Sequence, residues 1–114
     1  MGFLDKFSTF GNRALARGTA KSIVKLYLSV REENKNIDLK QALKLSLIKY
    51  DSRASKEYAN LLDEEEEVDM VSAIYYVVVE SSPMNRNKIF IPENQSRVYI
   101  DEIENVLREF NLEN

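Results

Sequence analysis

Hydrophobic residues in the first third of the chain form two stripes at helical spacing. The first stripe consists of Phe3, Leu4, Phe7 and Phe10, and the second of Ala16, Ala20, Ile23, Leu26, Tyr27 and Val30. At about 100° per residue, the two stripes would point to nearly opposite sides of one continuous helix. Because such a helix would show one apolar face to solvent, we predict a break near Gly11–Asn12, where glycine relaxes the backbone. Residues 1–11 are therefore predicted to form a semi-independent amphipathic N-terminal helix, followed by a second helix over about 12–33.

Polar residues mark the ends of the next two predicted helices. Asp38 has the position of an N-cap, and Gln41, three residues later, completes a capping-box pattern. Asp51 and Ser52 predict a second break, after which a shorter helix carries Tyr58 and its apolar neighbours. A last helix is predicted from about residue 97 to residue 110, where apolar residues again recur at helical spacing.

The segment over 71–79 is compatible with two structures. Asp63 can cap a helix whose first turn holds the acidic residues 64–67, and the apolar positions after it have helical spacing. However, residues 74–79 are also a β-branched and aromatic run that suits a buried strand. We favour the helix, and the alternative is an α+β fold with a short meander around 72–100. Residues 83–96 are predicted to be irregular or extended, because Pro92 disfavours a helical Ile91.

The composition favours an all-α fold over a loop-rich one. The chain has 114 residues, which suits one domain, and only three Gly and two Pro. We therefore predict a single helical domain over 1–114, built as a compact bundle of about five to six helices.

The absence of three residue types narrows the chemistry. The chain has no Cys, His or Trp, so the usual zinc, haem and iron–sulfur ligand sets and the Ser-His-Asp and Cys-His catalytic groups cannot be built from it. Enzymes that use carboxylates, Tyr or Lys remain an alternative, but we predict a protein that is not an enzyme and that has no cofactor, metal or small-molecule substrate. The acidic run 63–69 is interpreted as a capped helical turn. No secretory signal or membrane-spanning run is evident, and the predicted location is the cytoplasm.

Charge is distributed unequally between the two parts of the chain. Residues 1–50 have ten basic and four acidic side chains, whereas residues 51–114 have six and fifteen. Within the basic part, a band on one helix consists of Arg13, Arg17, Lys21, Lys25 and Arg31. The band is a candidate anion-binding surface for a membrane or a nucleic acid. We favour its interpretation as the solvated face of an ordinary amphipathic helix, and it could also lie against the acidic segment of its own or a second chain.

The aromatic residues at the start of the chain suggest a contact with another protein. Three of the five Phe residues fall within the first ten positions, and Phe3, Phe7 and Phe10 are candidate partner-binding residues. The alternatives are a helix that inserts into a membrane interface and a helix that folds back onto its own core. The leading hypothesis is a non-enzymatic protein–protein interaction or self-association module, with homo-oligomers plausible. This hypothesis depends on the predicted break, because a separate N-terminal helix would have to pack against a surface other than that of the second helix.

Overall fold

The computed structural model describes residues 3–81 and 93–112, with side chains over 13–81 and 96–112. It contains five α-helices in this described part: α1 (Phe3–Glu33), α2 (Leu39–Tyr50), α3 (Arg53–Leu61), α4 (Met70–Ser81) and α5 (Glu93–Glu109). A 3₁₀ turn, Leu62–Glu64, follows α3. The predicted all-α bundle is confirmed. The α+β alternative is wrong, because the described residues between 72 and 100 are helical rather than extended.

The first helix is continuous, and the predicted break near Gly11–Asn12 is wrong. The backbone is helical from Phe3 to Glu33. Glycine inside a helix costs about 1 kcal/mol relative to alanine, and no proline interrupts the ladder of hydrogen bonds. The chain therefore does not bend α1 in order to shelter both apolar stripes.

Local capping explains where α2 and α3 begin. The backbone N–H of Gln41 donates to Asp38 Oδ1 at 2.8 Å, which confirms Asp38 as the N-cap of α2. Ser52 and Ser55 form a capping box, in which each side chain accepts a hydrogen bond from the other's backbone N–H. Between these helices, Asp51 adopts a left-handed conformation with φ of 63° and ends α2.

The fourth helix begins later than predicted. Asp63 lies in the 3₁₀ turn, and α4 starts only at Met70, so the acidic residues 64–67 are not its first turn. Asp69 takes the capping role instead, since its carboxylate accepts from the Val71 N–H at 3.2 Å and from the Ser72 hydroxyl at 2.9 Å.

The fifth helix also begins earlier than predicted. It starts at Glu93, so residues 93–96 are helical and not extended, and the rest of the predicted irregular stretch, 83–92, lies outside the described residues.

The helices share one apolar core, in which α1 packs against α2, α4 and α5. Helix α4 contributes one apolar face to this core, and its buried residues have the spacing of an amphipathic helix: Met70, Ala73, Ile74, Val77 and Val78. The bundle measures 50 × 28 × 22 Å. A helix of the length of α1 spans about 46 Å, so α1 extends along most of the long dimension and presents one side to the other helices.

Candidate functional site

One face of α1 points away from the bundle. The buried residues of this helix, among them Ile23, Tyr27 and Val30, form the face that the other helices cover. On the opposite face, every residue whose side chain is described is exposed: Ala14, Gly18, Ser22, Lys25 and Ser29. The helical register places position 7 on this same side and positions 3 and 10 at its edge, in line with Lys21 and Leu28. We call the set of positions 3, 7, 10, 14, 18, 22, 25 and 29 the outward face of α1.

The three candidate partner-binding phenylalanines belong to this outward face by register. Phe3, Phe7 and Phe10 lie in the helical backbone of α1, but their side chains lie outside the described part of the structure. Positions 3, 7 and 10 lie at the start of α1, far from its second half. Phe7 and Leu28 are 21 positions apart on one helix, which corresponds to about 32 Å along its axis.

Part of the predicted basic band is neutralised within the chain. The Arg17 guanidinium donates a hydrogen bond to Glu109 at the end of α5 and lies 3.8 Å from the Glu102 carboxylate. The hydrogen bond from Arg17 is the main cause that holds the pKa of Glu109 below its usual range, and the charges of Arg17 and Lys21 act in the same direction. The basic helix therefore contacts an acidic segment of its own chain, one of the three interpretations that the charge pattern allowed.

This pairing predicts a pH effect at one carboxyl group. We expect the Arg17→Gln variant to raise the pKa of Glu109, because the hydrogen bond that favours its charged form is lost. In the unmodified chain, the contribution of this pair to stability is present above the unfolded pKa of Glu109 and declines as the pH falls through the folded value. NMR titration of the side-chain carboxyl carbon measures the pKa. Arg13→Gln serves as the control, and an unchanged pKa in Arg17→Gln would show that the pair does not form.

Arg31 contacts the ring of Tyr27 and remains exposed to solvent. Its Nη1 donates to Tyr27 Oη at 3.0 Å, and its Cζ lies 5.6 Å from the ring centroid. Arg13 and Lys25 are also exposed, and Lys21 is half-buried beside α5. The five basic residues thus do not act as one uniform surface, since two of them are committed to contacts within the bundle.

Arg31 also stands at the edge of a cleft. The cleft has a volume of about 670 Å³ and lies where the second half of α1 meets the starts of α2 and α4 and the end of α5. This volume is within the range of about 300–1,000 Å³ that is typical of ligand pockets. Its apolar wall consists of Leu28, Leu39, Val68, Val71, Leu107 and Leu112. Leu28 and Leu39 are 36% and 39% exposed, which is a high exposed fraction for leucine. No described residue fills the cleft beside them.

Acidic groups outnumber basic ones around this cleft. Asp69, which precedes α4, and Glu104 of α5 line it, and Arg31 is the one basic residue among the lining side chains that the structure describes. Glu104 also lies 4.0 Å from Arg108. Asn111 also lines the cleft and has a left-handed conformation with φ of 59°. The Leu112 N–H bonds to the Leu107 carbonyl at 2.8 Å, and this C-terminal turn folds Leu112 back into the wall.

The acidic run at 63–69 is used in contacts with α2. Lys44 Nζ lies 2.7 Å from Asp63 Oδ1, and Lys40 Nζ donates to the Glu65 carbonyl at 2.9 Å. Among the described residues, no group of His, Cys, Asp or Glu is arranged to hold a metal ion. No helix of the described part is long and apolar enough to cross a membrane.

Sequence reasoning did not find the cleft. Its lining comes from four helix ends that are far apart in the chain, and no short motif connects them. The one signal was Leu28, an apolar residue 18 positions after Phe10 and therefore on the side of the first stripe, which the structure places in the cleft wall.

Comparison with protein-family models, with curated proteins and with solved structures gives no match for this chain.

Proposed function

We propose that this chain is a non-enzymatic interaction module that associates with a second copy of itself through the outward face of α1. The observation that carries the proposal is the continuity of α1. A continuous helix holds two apolar stripes on opposite sides, and over the described side chains the bundle covers the side of Ile23, Tyr27 and Val30. The stripe of Phe3, Phe7 and Phe10 is the surface of α1 that we propose for contact with another molecule.

This basis differs from the one that the sequence suggested. The predicted break was the premise of the docking-segment hypothesis, and that premise is wrong. The continuous helix supplies a different argument, because it fixes the first residues on a rigid rod that cannot fold back onto the bundle. A short helix of nine residues is marginal in water, whereas here the first turns extend a helix that tertiary packing already supports.

The absence of His and Cys from the sequence supports a non-enzymatic role, since these residues supply most general bases and nucleophiles at neutral pH. The anion-binding alternative has less support than the charge pattern suggested. Arg17 is paired with Glu109, so one of the five positive charges is offset within the chain.

Light scattering after size exclusion, at about 0.05 M and about 0.5 M salt, tests the proposal. We expect a mass of twice 13.2 kDa at both salt concentrations, because an apolar contact does not weaken as salt screens charges. Parallel binding assays with anionic vesicles and with duplex DNA address the alternative. A protein that stays at 13.2 kDa, and that binds either anionic surface only at the lower salt, would contradict self-association and favour anion binding.

A further inference from the structure

We infer that the cleft at the second half of α1 binds a small amphipathic carboxylate, with its apolar tail along the leucine wall and its carboxylate group beside Arg31 and Tyr27. Tyr27 is buried and belongs to the side of α1 that the other helices cover, so this site is separate from the outward face of α1. The inference goes beyond the proposed self-association and does not depend on it.

The wall of the cleft suits an apolar tail. Leu28 of α1 and Leu39 of α2 both line it, and each keeps more than a third of its surface exposed. Leu107 and Leu112 extend the same apolar lining from α5 and the turn after it. A tail that covers these side chains removes apolar surface from water, which is the main favourable contribution to apolar binding. The cleft volume of about 670 Å³ limits the ligand to a small organic molecule.

Two hydrogen-bond donors meet beside this apolar wall. Arg31 Nη1 donates to Tyr27 Oη at 3.0 Å, and both side chains line the cleft. A guanidinium has several N–H groups, so most of them remain for a ligand. The Tyr27 hydroxyl accepts the bond from Arg31, and its own proton has no acceptor among the described residues. Because an ionised carboxylate only accepts hydrogen bonds, it matches this pair of donors.

The charges of the lining residues favour an anionic head group over a cationic one. Asp69 precedes α4, and its two oxygens accept hydrogen bonds from the first turn of that helix. Glu104 lies 4.0 Å from Arg108 of the same helix. Both acidic side chains thus have partners within the chain. Arg31, by contrast, contacts Tyr27 and has no carboxylate within 4.0 Å among the described residues, so it is the lining charge that a ligand would pair.

The exposure of Arg31 sets the orientation of the ligand. Arg31 is exposed, whereas Tyr27 and Leu107 are buried, so the head group lies at the solvent side of the cleft and the tail lies deeper. An ionised carboxylate that stays in contact with water avoids the large cost of burying a charge. A ligand with one charged end and one apolar end fits both parts of the cleft.

Isothermal titration calorimetry with three ligands that share a decyl tail tests the class of ligand. Decanoate, 1-decanol and decylammonium are anionic, neutral and cationic at a pH of about 7.4. Each is used below the concentration at which it forms micelles. We expect decanoate to bind at least about fivefold more tightly than decanol, because hydrogen bonds to a charged group add to the apolar contact. Decylammonium should bind most weakly.

Substitutions at the two donors test the position of the carboxylate. We expect Arg31→Gln to weaken decanoate binding at least about fivefold, with little effect on decanol, because the charge-assisted hydrogen bonds are lost. Tyr27→Phe keeps the ring and removes the hydroxyl, and it should weaken decanoate binding by about threefold. Arg13→Gln is the matched control, since it removes the same charge from an exposed position of α1 outside the cleft. It should change the binding of neither ligand.

Two leucines on α2 test the wall. Leu39 lines the cleft and is 39% exposed, whereas Leu45 lies outside it and is 37% exposed. We expect Leu39→Ser to weaken the binding of both decanoate and decanol by about threefold or more, because apolar contact with the tail is lost. Leu45→Ser should leave both unchanged. Circular dichroism of every variant verifies that the helices are retained.

The outcomes separate this inference from the proposed function. A preference for decanoate that is lost in Arg31→Gln and kept in Arg13→Gln supports the carboxylate site. Equal binding of the three ligands, tightest binding of decylammonium, or equal losses in Arg31→Gln and Arg13→Gln overturns it. A dimer that does not bind decanoate also overturns it and leaves self-association intact. A monomer of 13.2 kDa that binds decanoate with this preference supports the site and contradicts self-association alone.

Discussion

The triple variant Phe3→Ser, Phe7→Ser and Phe10→Ser is expected to be a monomer under conditions where the unmodified chain is a dimer. Each buried phenylalanine contributes about 1.5–3 kcal/mol of apolar transfer free energy, and twofold symmetry removes each contact twice. The dissociation constant should therefore rise by at least about a thousandfold. Serine and phenylalanine have similar helix propensities, so the change removes apolar surface without favouring a break in α1.

A control with the same number of substitutions keeps this result specific. Leu45, Ile48 and Leu61 are 37%, 44% and 46% exposed and lie outside the outward face of α1 and the cleft. Their joint replacement by serine should leave the dimer unchanged. Equal loss of association in both triple variants would mean that exposed apolar side chains drive non-specific association. Retention of the dimer in the phenylalanine variant would exclude the aromatic segment as the contact.

Leu47→Ala is expected to lower the free energy of unfolding by about 2–5 kcal/mol. Leu47 is fully buried in the core, and truncation leaves a cavity that its packed neighbours cannot fill. Typical domains are stable by about 5–15 kcal/mol, so this single change removes a large share of that stability. Urea denaturation at one fixed protein concentration measures the effect, since association adds a concentration-dependent term.

The adjacent residue provides the control for this prediction. Ile48 is 44% exposed on the same helix, and Ile48→Ala should change the free energy of unfolding by less than about 1 kcal/mol. Similar losses in the free energy of unfolding for both variants would contradict the finding that Leu47, and not Ile48, faces the core.

Local signals explain the parts of the fold that the sequence predicted well. Asp38 caps α2 by a hydrogen bond to a residue three positions away, and the helical spacing of the buried residues in α4 outweighed its β-branched composition. Both features are readable over a few residues. The position of Asp63 was misinterpreted because an acidic run resembles a first helical turn. In the structure, Lys44 and Lys40 contact this run from α2, and α4 starts only at Met70.

The prediction of a break at Gly11–Asn12 was wrong because it depended on an assumption about the whole fold and not on a local signal. We expected every apolar face to be sheltered within the chain, but a glycine costs α1 only about 1 kcal/mol, and a second copy can shelter what the bundle does not. The cleft depends on tertiary packing in a similar way. Leu28, Val71 and Leu112 line the same cleft only because four helix ends converge. Their spacing along the chain does not predict this arrangement.

Sedimentation equilibrium of the unmodified chain, over a range of concentrations from about 1 μM to about 1 mM, tests self-association most directly. We predict a monomer–dimer equilibrium whose mass rises to twice 13.2 kDa and no further, because the proposed interface is closed by a twofold axis. A single species of 13.2 kDa over the whole range would contradict the account.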